Sequence, residues 1–213
     1  MKYKWLNQNK NTDLILFFNG WGMDESVVKH LVCGNYDVVM FYDYNSIETD
    51  FFDKYNIEVY EEINIIGWSM GVMICAYIIQ SYNIRADKIT VINGTLKPID
   101  ADYGINPKIY DLTIRGFNEN SKNRFVKNMF NSSVPSQIEK IERSIDNLKN
   151  ELISIKNFAG KFNLNPIKPS KIVICNEDKI IPAKSQSKYW GIAPNYNAGH
   201  CPFFTYSSWE ELL

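Results

Sequence analysis

The sequence predicts an α/β fold in which a mostly parallel sheet is flanked by helices on both sides. Short, continuous apolar runs that end in Asn or Gly recur along the chain, as is typical of strands covered on both faces. Helix-like segments separate these runs, and this alternation favours a parallel sheet. A chain of 213 residues is most simply one domain, residues 1–213, with an insertion.

The elements follow one another in chain order. The predicted strands are Asp13–Gly20, Tyr36–Tyr44, Ile63–Gly67, Lys88–Gly94 and Lys171–Asn176. The predicted helices between them are Asp24–Val32, Ser46–Tyr55 and Ser69–Tyr82, and a further helix is expected to begin near Pro182.

The alternation stops between about residues 96 and 169, where no buried-strand run occurs. One long amphipathic helix is predicted there from apolar residues at intervals of three and four: Ile138, Ile141, Ile145, Leu148, Leu152 and Ile155. Its start is marked by Pro135 and a predicted capping box from Ser136 to Glu139, and its end by Gly160. A shorter helix is predicted over Asn120–Phe130. We interpret this region as a helical lid insertion over the carboxyl edge of the sheet, where open α/β sheets bind ligands.

Composition excludes several classes of partner. The 23 basic and 24 acidic residues give a net charge of −1, which offers no reason to expect a nucleic-acid ligand. No window resembles a membrane span or a signal peptide, so a cytoplasmic protein is predicted. The four cysteines are scattered without a C-x-x-C pair, which favours free thiols over a metal site. The sequence does not indicate an oligomeric state.

The segment Gly67-Trp68-Ser69-Met70-Gly71 matches G-x-S-x-G. In this motif a serine occupies a cramped turn from a strand to a helix, and the glycines permit backbone approaches that a Cβ would block. Ser69 is therefore the candidate nucleophile. A serine hydroxyl needs a base that removes its proton, and the base in turn needs an orienting acid.

Two histidines are available as the base. His200 follows the last predicted strand, and the chain order of this kind of site requires a late histidine. His30 precedes Ser69, and a surface or helix-terminal role explains it. His200 is the candidate base, although a packed histidine in a terminal loop is the alternative for that residue alone.

The acid is expected between Ser69 and His200. Asp178 is the best candidate because it lies just past an apolar strand, although a cap for the following helix would also explain it. Its neighbour Glu177 remains an alternative. Asp100 and Asp102 would serve only if the acid had moved to the preceding strand, and Asp43 would break the chain order.

An oxyanion hole is expected to use two backbone N–H groups, that of Met70 after the nucleophile and that of Trp21 in the loop after the first predicted strand. A plain Gly-flanked turn is the alternative for that loop. The side chains of Trp21 and Trp68 are candidate walls of an acyl pocket, although tryptophan more often packs than binds substrate.

Five segments carry a more specific resemblance: FFNGWGMDE, IIGWSMGV, INGTLKPID, IRGFNENSKNRF and NAGHCPFF. Together they resemble the BioG-type pimeloyl-acyl-carrier-protein methyl ester carboxylesterases of biotin synthesis, from about Asp13 to Phe204. The resemblance implies an α/β-hydrolase fold with a helical lid and no cofactor. It also implies a Ser69–Asp178–His200 triad with Trp21 and Met70 as oxyanion donors.

The resemblance further implies a partner, an acyl carrier protein that bears a methyl pimeloyl chain. Because such carriers are acidic, the rim of the pocket should be locally basic. The insertion offers four basic residues for this role: Arg115, Lys122, Arg124 and Lys127. An ordinary solvated helix face explains them equally well. A serine thioesterase, a general short-chain esterase and a non-catalytic binding protein on the same fold are the competing hypotheses.

Overall fold

A computed structural model describes residues 1–130, 133–136, 138, 143–162 and 164–213. Within these residues, six strands form one sheet: β1 Lys2–Asn7, β2 Asp13–Phe18, β3 Tyr36–Tyr42, β4 Glu62–Trp68, β5 Lys88–Ile92 and β6 Lys171–Val173. Their order across the sheet is β1-β3-β2-β4-β5-β6. All neighbours are parallel except β1, which pairs antiparallel with β3. The predicted mostly parallel sheet is confirmed.

The central strands are covered on both faces, as their continuous apolar runs predict. Along β2, Leu14, Leu16 and Phe18 pack into one core layer, while Ile15 and Phe17 pack into the other. This alternation follows from the two-residue period of a strand. The sheet is packed between the two core layers. The loops at its carboxyl edge therefore begin and end on well-packed strands.

The described helices are α1 Phe51–Lys54, α2 Gly71–Ser81, α3 Pro107–Arg115, α4 Glu119–Asn128, α5 Ile145–Ala159 and α6 Ala183–Trp190. Three of them, α3, α4 and α5, lie between β5 and β6, within the region where the sequence predicts the insertion. Short 3-10 turns cover Glu25–Val27, Ile57–Val59, Phe203–Thr205 and Glu210–Leu212.

Two predicted helices before α2 are largely absent. The segment Asp24–Val32 contains only the 3-10 turn, because the Val32 backbone pairs instead with Ser208 near the end of the chain. The predicted helix Ser46–Tyr55 is reduced to the single turn α1. In the first of these places, a contact with a distant part of the chain overrides local helix propensity.

The start of the long helix also differs from the prediction. Helix α5 begins at Ile145, where the Ser144 side chain accepts a hydrogen bond from the Asn147 N–H, and it ends at Gly160 as predicted. Glu139, the second member of the predicted capping box, lies outside the described residues, as does Ile141. The shorter predicted helix is present as α4, with a capping box between Asn118 and Ser121.

Strand β1 and helix α3 were not predicted. β1 is an edge strand whose residues are exposed or half-buried, so it lacks the continuous apolar run of the central strands. α3 has a single buried side chain, that of Tyr110, and its apolar residues are largely exposed. Among the residues that the structure describes, no helix has the length and apolar character needed to cross a membrane.

Candidate active site

Ser69 occupies the tight turn between β4 and α2 with a positive φ of 57°. Few non-glycine residues adopt this conformation, so the surrounding structure must hold it there. A Cβ on Gly71 would lie 2.2 Å from the Phe18 carbonyl oxygen, and one on Gly94 would lie 2.4 Å from the Ser69 carbonyl oxygen. The strained serine is thus supported by close backbone approaches that require glycine at both of these positions.

His200 bridges Ser69 and Asp178. Its Nε2 lies 2.8 Å from Ser69 Oγ, and its Nδ1 lies 2.7 Å from Asp178 Oδ2. The exposed fractions of Ser69, Asp178 and His200 are 4%, 8% and 1%. When Nδ1–H donates to the carboxylate, Nε2 is left as the acceptor for the serine hydroxyl. The arrangement therefore suits removal of the hydroxyl proton by the imidazole.

Asp178 is held in place by its own hydrogen bonds. Its Oδ1 accepts the backbone N–H groups of Ile180 and Ile181 at 2.8 and 3.0 Å. Its Oδ2 accepts the Gln186 side-chain amide at 2.9 Å in addition to His200. Gln186 is fully buried, so the carboxylate is oriented by packed partners. Asp178 organises the turn before α6 and contacts the imidazole at the same time.

The other acids considered from the sequence lie elsewhere. Glu177 is exposed, and Asp102 pairs with Lys188 at 2.6 Å. Asp100 caps the turn that follows it, by accepting the backbone N–H groups of Asp102 and Tyr103. In this structure Asp178 is the acid that meets His200.

Asp43 and His30 have other partners too. Asp43 pairs with Lys2 at 2.8 Å and with Arg143 at 3.1 Å. The His30 ring stacks on Phe204 with centroids 4.7 Å apart. His30 therefore has the surface packing role that the sequence suggested.

Trp21 and Met70 line the same cleft as Ser69. The register of the sheet explains this proximity, because Phe18 at the end of β2 lies opposite Gly67 near the end of β4. The backbone N–H groups of both residues donate to no protein group within the described part of the chain. Both groups thus remain available to a ligand atom in the cleft.

Trp68 lies in a different place from the one predicted. It is buried, its Nε1 donates to the His200 carbonyl oxygen at 2.8 Å, and its ring packs against Phe203. It supports the His200 loop from behind and does not line the cleft that contains Ser69. A tryptophan next to the nucleophile in sequence points away from the cleft because side chains alternate along β4.

The four predicted basic residues separate in space. Arg124 lines the Ser69 cleft, whereas Lys122 and Lys127 line a neighbouring cavity. Arg115 lies in a third, shallow cleft. Lys179, directly after Asp178, also lines the Ser69 cleft and was not considered from the sequence.

Asn93 is a buried residue that the sequence analysis missed. It follows β5 with a positive φ of 46°, and its Oδ1 accepts the Cys175 N–H at 2.8 Å. Its Nδ2 donates to the His200 carbonyl oxygen at 2.9 Å. One side chain thus ties the loop of the acid to the loop of the histidine. The Asn-Gly pair directly after a buried strand was the available signal.

The cleft of about 420 Å³ above Ser69 is mainly apolar. Its apolar wall comes from α3 and a residue just before it, from α5 and from the segment after Asp178: Ile105, Ile109, Tyr110, Leu112, Leu152 and Ile180. A cleft of this size and character suits an aliphatic chain. Across the described ranges, no three His, Cys, Asp or Glu side chains are grouped so that they could hold a metal ion.

Comparison with known proteins identifies the family. The family described as "Pimeloyl-ACP methyl esterase BioG" matches residues 1–212. The chain belongs to the BioG family. Its fold agrees with that of BioG from Haemophilus influenzae, with a TM-score of 0.88 and 27% identity over 100% of this chain and 99% of that one. The description of this family names an esterase that acts on pimeloyl-ACP.

One curated relative and one solved structure match the chain less completely or with lower identity. A malonyl-[acyl-carrier protein] O-methyltransferase from Bacteroides fragilis is 33% identical over 181 residues, which are 84% of this chain but 36% of that protein. The chain therefore spans about a third of that relative. An enol-lactonase from Burkholderia xenovorans has a TM-score of 0.69 at 14% identity over 94% of this chain and 89% of that one. This last likeness establishes the α/β-hydrolase fold alone.

Proposed function

We propose that the chain is a serine carboxylesterase that hydrolyses the methyl ester of pimeloyl-acyl-carrier protein to pimeloyl-acyl-carrier protein and methanol. The observation that carries the proposal is the position of His200, which lies within hydrogen-bond distance of Asp178 and of Ser69, and Ser69 lines an apolar cleft. Membership of the BioG family supports the substrate. The name of the Bacteroides relative describes chemistry on a carrier-bound acyl group, which supports the same substrate class.

The first half of the reaction forms an acyl-enzyme. Ser69 Oγ attacks the ester carbonyl carbon while His200 Nε2 takes the hydroxyl proton, and Asp178 stabilises the imidazolium. The carbonyl oxygen becomes an oxyanion, to which the N–H groups of Trp21 and Met70 donate. The C–O bond to the methoxy group then breaks, and His200 returns its proton so that methanol leaves.

The second half repeats these steps with water. His200 takes a proton from a water molecule, whose oxygen attacks the acyl carbon. The oxyanion forms again between the same two N–H groups. When the bond to Ser69 Oγ breaks, His200 returns the proton to the serine and the free carboxylate of the pimeloyl chain is released.

We propose that the insertion, approximately residues 96–169, acts as a lid that supplies the wall for the acyl chain. The support is the position of α3, whose Ile109 and Leu112 are 59% and 62% exposed and line the Ser69 cleft. Exposed apolar side chains around a polar catalytic floor are typical of a binding groove for an aliphatic ligand.

The test is a comparison of three substrates with the purified chain. Methanol release from methyl pimeloyl-acyl-carrier protein is expected, with no thiol release from pimeloyl-acyl-carrier protein. A preparation blocked with a fluorophosphonate provides the blank. Thiol release would favour a thioesterase, and cleavage of p-nitrophenyl acetate alone would favour a general esterase. No cleavage and no labelling of Ser69 would favour a binding protein.

A substitution in the apolar wall tests the acyl site. Leu112→Asn should lower kcat/KM for the methyl pimeloyl ester by about tenfold, because polar contact replaces apolar burial worth about 1.4 kcal/mol. Hydrolysis of p-nitrophenyl acetate should be unaffected, since its acyl group is too short to reach the wall. Val59→Asn is the matched control, because Val59 is 71% exposed but lies outside the cleft. Equal losses with both esters would contradict the assignment.

A charge reversal tests carrier recognition. We propose that Arg124 on α4 contacts the acidic carrier, with Lys122 and Lys127 on the same helix and Arg115 at the end of α3. Arg124→Glu should lower kcat/KM for the carrier-bound ester by about tenfold and leave dimethyl pimelate unaffected, and the loss should shrink at high salt. Lys29→Glu reverses an exposed charge outside the described clefts and serves as the control. A loss with both substrates, or a loss independent of salt, would contradict direct recognition.

A further inference from the structure

The loop between β2 and the first 3-10 turn carries Trp21, whose N–H is a proposed oxyanion donor. The loop has few bonds of its own. The Asn19 side chain donates to the Asp24 carbonyl oxygen and accepts the Gly20 N–H, each at 2.9 Å, and the Met23 N–H donates to the Gly20 carbonyl oxygen at 3.3 Å. These contacts leave the peptide between Trp21 and Gly22 without a partner from the loop itself.

That partner comes from the insertion. Glu151 on α5 is 0% exposed, and its Oε2 accepts the Gly22 N–H at 3.3 Å. Its Oε1 accepts the Tyr44 N–H at 2.8 Å. The Tyr44 hydroxyl in turn donates to the Asn19 carbonyl oxygen at 2.8 Å. One carboxylate therefore joins the loops that follow β2 and β3.

A second contact from α5 reaches the same loop. The Trp21 indole Nε1 donates to the Leu148 carbonyl oxygen at 3.0 Å, and Leu148 lies three residues before Glu151 on the same side of the helix. Trp21 is therefore held through its side chain and through the peptide that follows it. The acceptors of both hydrogen bonds belong to α5, a helix of the insertion.

The charge of Glu151 is balanced by a buried partner. The pKa of its carboxyl group is raised by burial, which outweighs the opposing effect of the Arg143 guanidinium, whose Nη1 lies 2.8 Å from Oε2. Arg143 also pairs with Asp43 at 3.1 Å. An unpaired carboxylate beside an oxyanion hole would oppose the developing negative charge. The ion pair reduces that penalty while the carboxylate accepts from two N–H donors.

We propose that Glu151 is a positioning residue for the oxyanion hole and that, together with the Leu148 carbonyl oxygen, it sets the orientation of the Trp21 N–H from the insertion. The inference rests on the proposed function, because it takes Trp21 as an oxyanion donor. A glutamine at position 151 has one acceptor oxygen and one NH₂ group, so it cannot accept from Gly22 and Tyr44 together.

The test uses Glu151→Gln at a temperature where the variant is fully folded. Its kcat should fall by about 100-fold with KM unchanged, because a misplaced donor acts only on the transition state. Affinity for an aryl trifluoromethyl ketone, whose adduct places an oxyanion in the hole, should fall by the same factor. Affinity for pimelate, which forms no such oxyanion, should be retained. Thr90→Val is the matched control, because it removes a buried hydrogen bond to the Leu212 carbonyl oxygen far from the loop.

A double variant separates positioning from folding. Arg143→Gln combined with Glu151→Gln removes both members of the buried ion pair, and Asp43 keeps its pair with Lys2. Thermal stability should therefore recover while kcat stays low. Recovery of kcat together with the melting temperature would overturn the proposal, as would a kcat for Glu151→Gln close to that of the wild type. The kinetics can be followed with p-nitrophenyl acetate. If the chain cleaves p-nitrophenyl acetate but not the pimeloyl ester, the proposed substrate is refuted, and the test of Glu151 can still be carried out.

Discussion

Replacing Ser69 with alanine is expected to lower kcat for the carrier-bound methyl ester by about a millionfold. The hydroxyl oxygen is the atom that would form the acyl-enzyme. A water molecule in its place would not be held by the chain next to His200. Folding should be little affected, because alanine at this site carries the same strain at a φ of 57° that serine already carries. Methanol release, fluorophosphonate labelling and the melting temperature measure the three consequences separately.

The matched control is Ser81→Ala, an exposed serine at the last position of α2. It changes the same functional group on the helix that begins beside Ser69, and it should retain full activity and labelling. Substantial methanol release by a folded Ser69→Ala protein would remove Ser69 as the nucleophile. Continued labelling of that variant by the fluorophosphonate would lead to the same conclusion.

Asp178→Asn is expected to lower kcat by about 10⁴-fold. An amide offers one acceptor oxygen, whereas Asp178 accepts two backbone N–H groups on Oδ1 and the donors of Gln186 and His200 on Oδ2. If the amide oxygen keeps the backbone bonds, its NH₂ group faces His200 Nδ1. The imidazole must then carry its proton on Nε2, where it can no longer accept the proton of Ser69.

Glu177→Gln is the control for this substitution. Glu177 is adjacent and exposed, so the same loss of charge beside the site should leave kcat unchanged. A large loss in Glu177→Gln with a small one in Asp178→Asn would assign the acid to the neighbouring residue. Because Asp178 also supports the turn before α6, the rates must be measured on protein shown to be folded by its near-ultraviolet circular dichroism.

The parts of the fold that were predictable are those in which a local pattern and a buried environment agree. The parallel strands β2, β3, β4 and β5 are largely apolar runs because both of their faces are covered, and this requirement can be recognised in the residues themselves. The G-x-S-x-G turn can also be recognised in the sequence, because steric limits at position 71 require glycine. Helix α5 was predicted from its apolar period, although its start lies at Ile145.

The parts that were missed depend on contacts between distant residues. The edge strand β1 exists because β3 offers it hydrogen bonds, and the segment after Asp24 loses its helix because Val32 pairs with Ser208. Helix α3 escaped notice because its apolar residues Ile109 and Leu112 face the cleft and remain exposed. Their pattern therefore does not resemble that of a helix packed against a core.

The amino-acid sequence was sufficient to predict a nucleophilic serine, because this role requires a strained turn, a late histidine and an acid between them, and each of these has a local signal. It left open which acid meets the histidine, which side chains line the cleft and which residues hold the loop that carries Trp21. Asp178, Leu112 and Glu151 acquire those positions only when loops from separate strands and the insertion converge. Such contacts depend on the distances between elements across the folded chain, and no pattern of neighbouring residues records those distances.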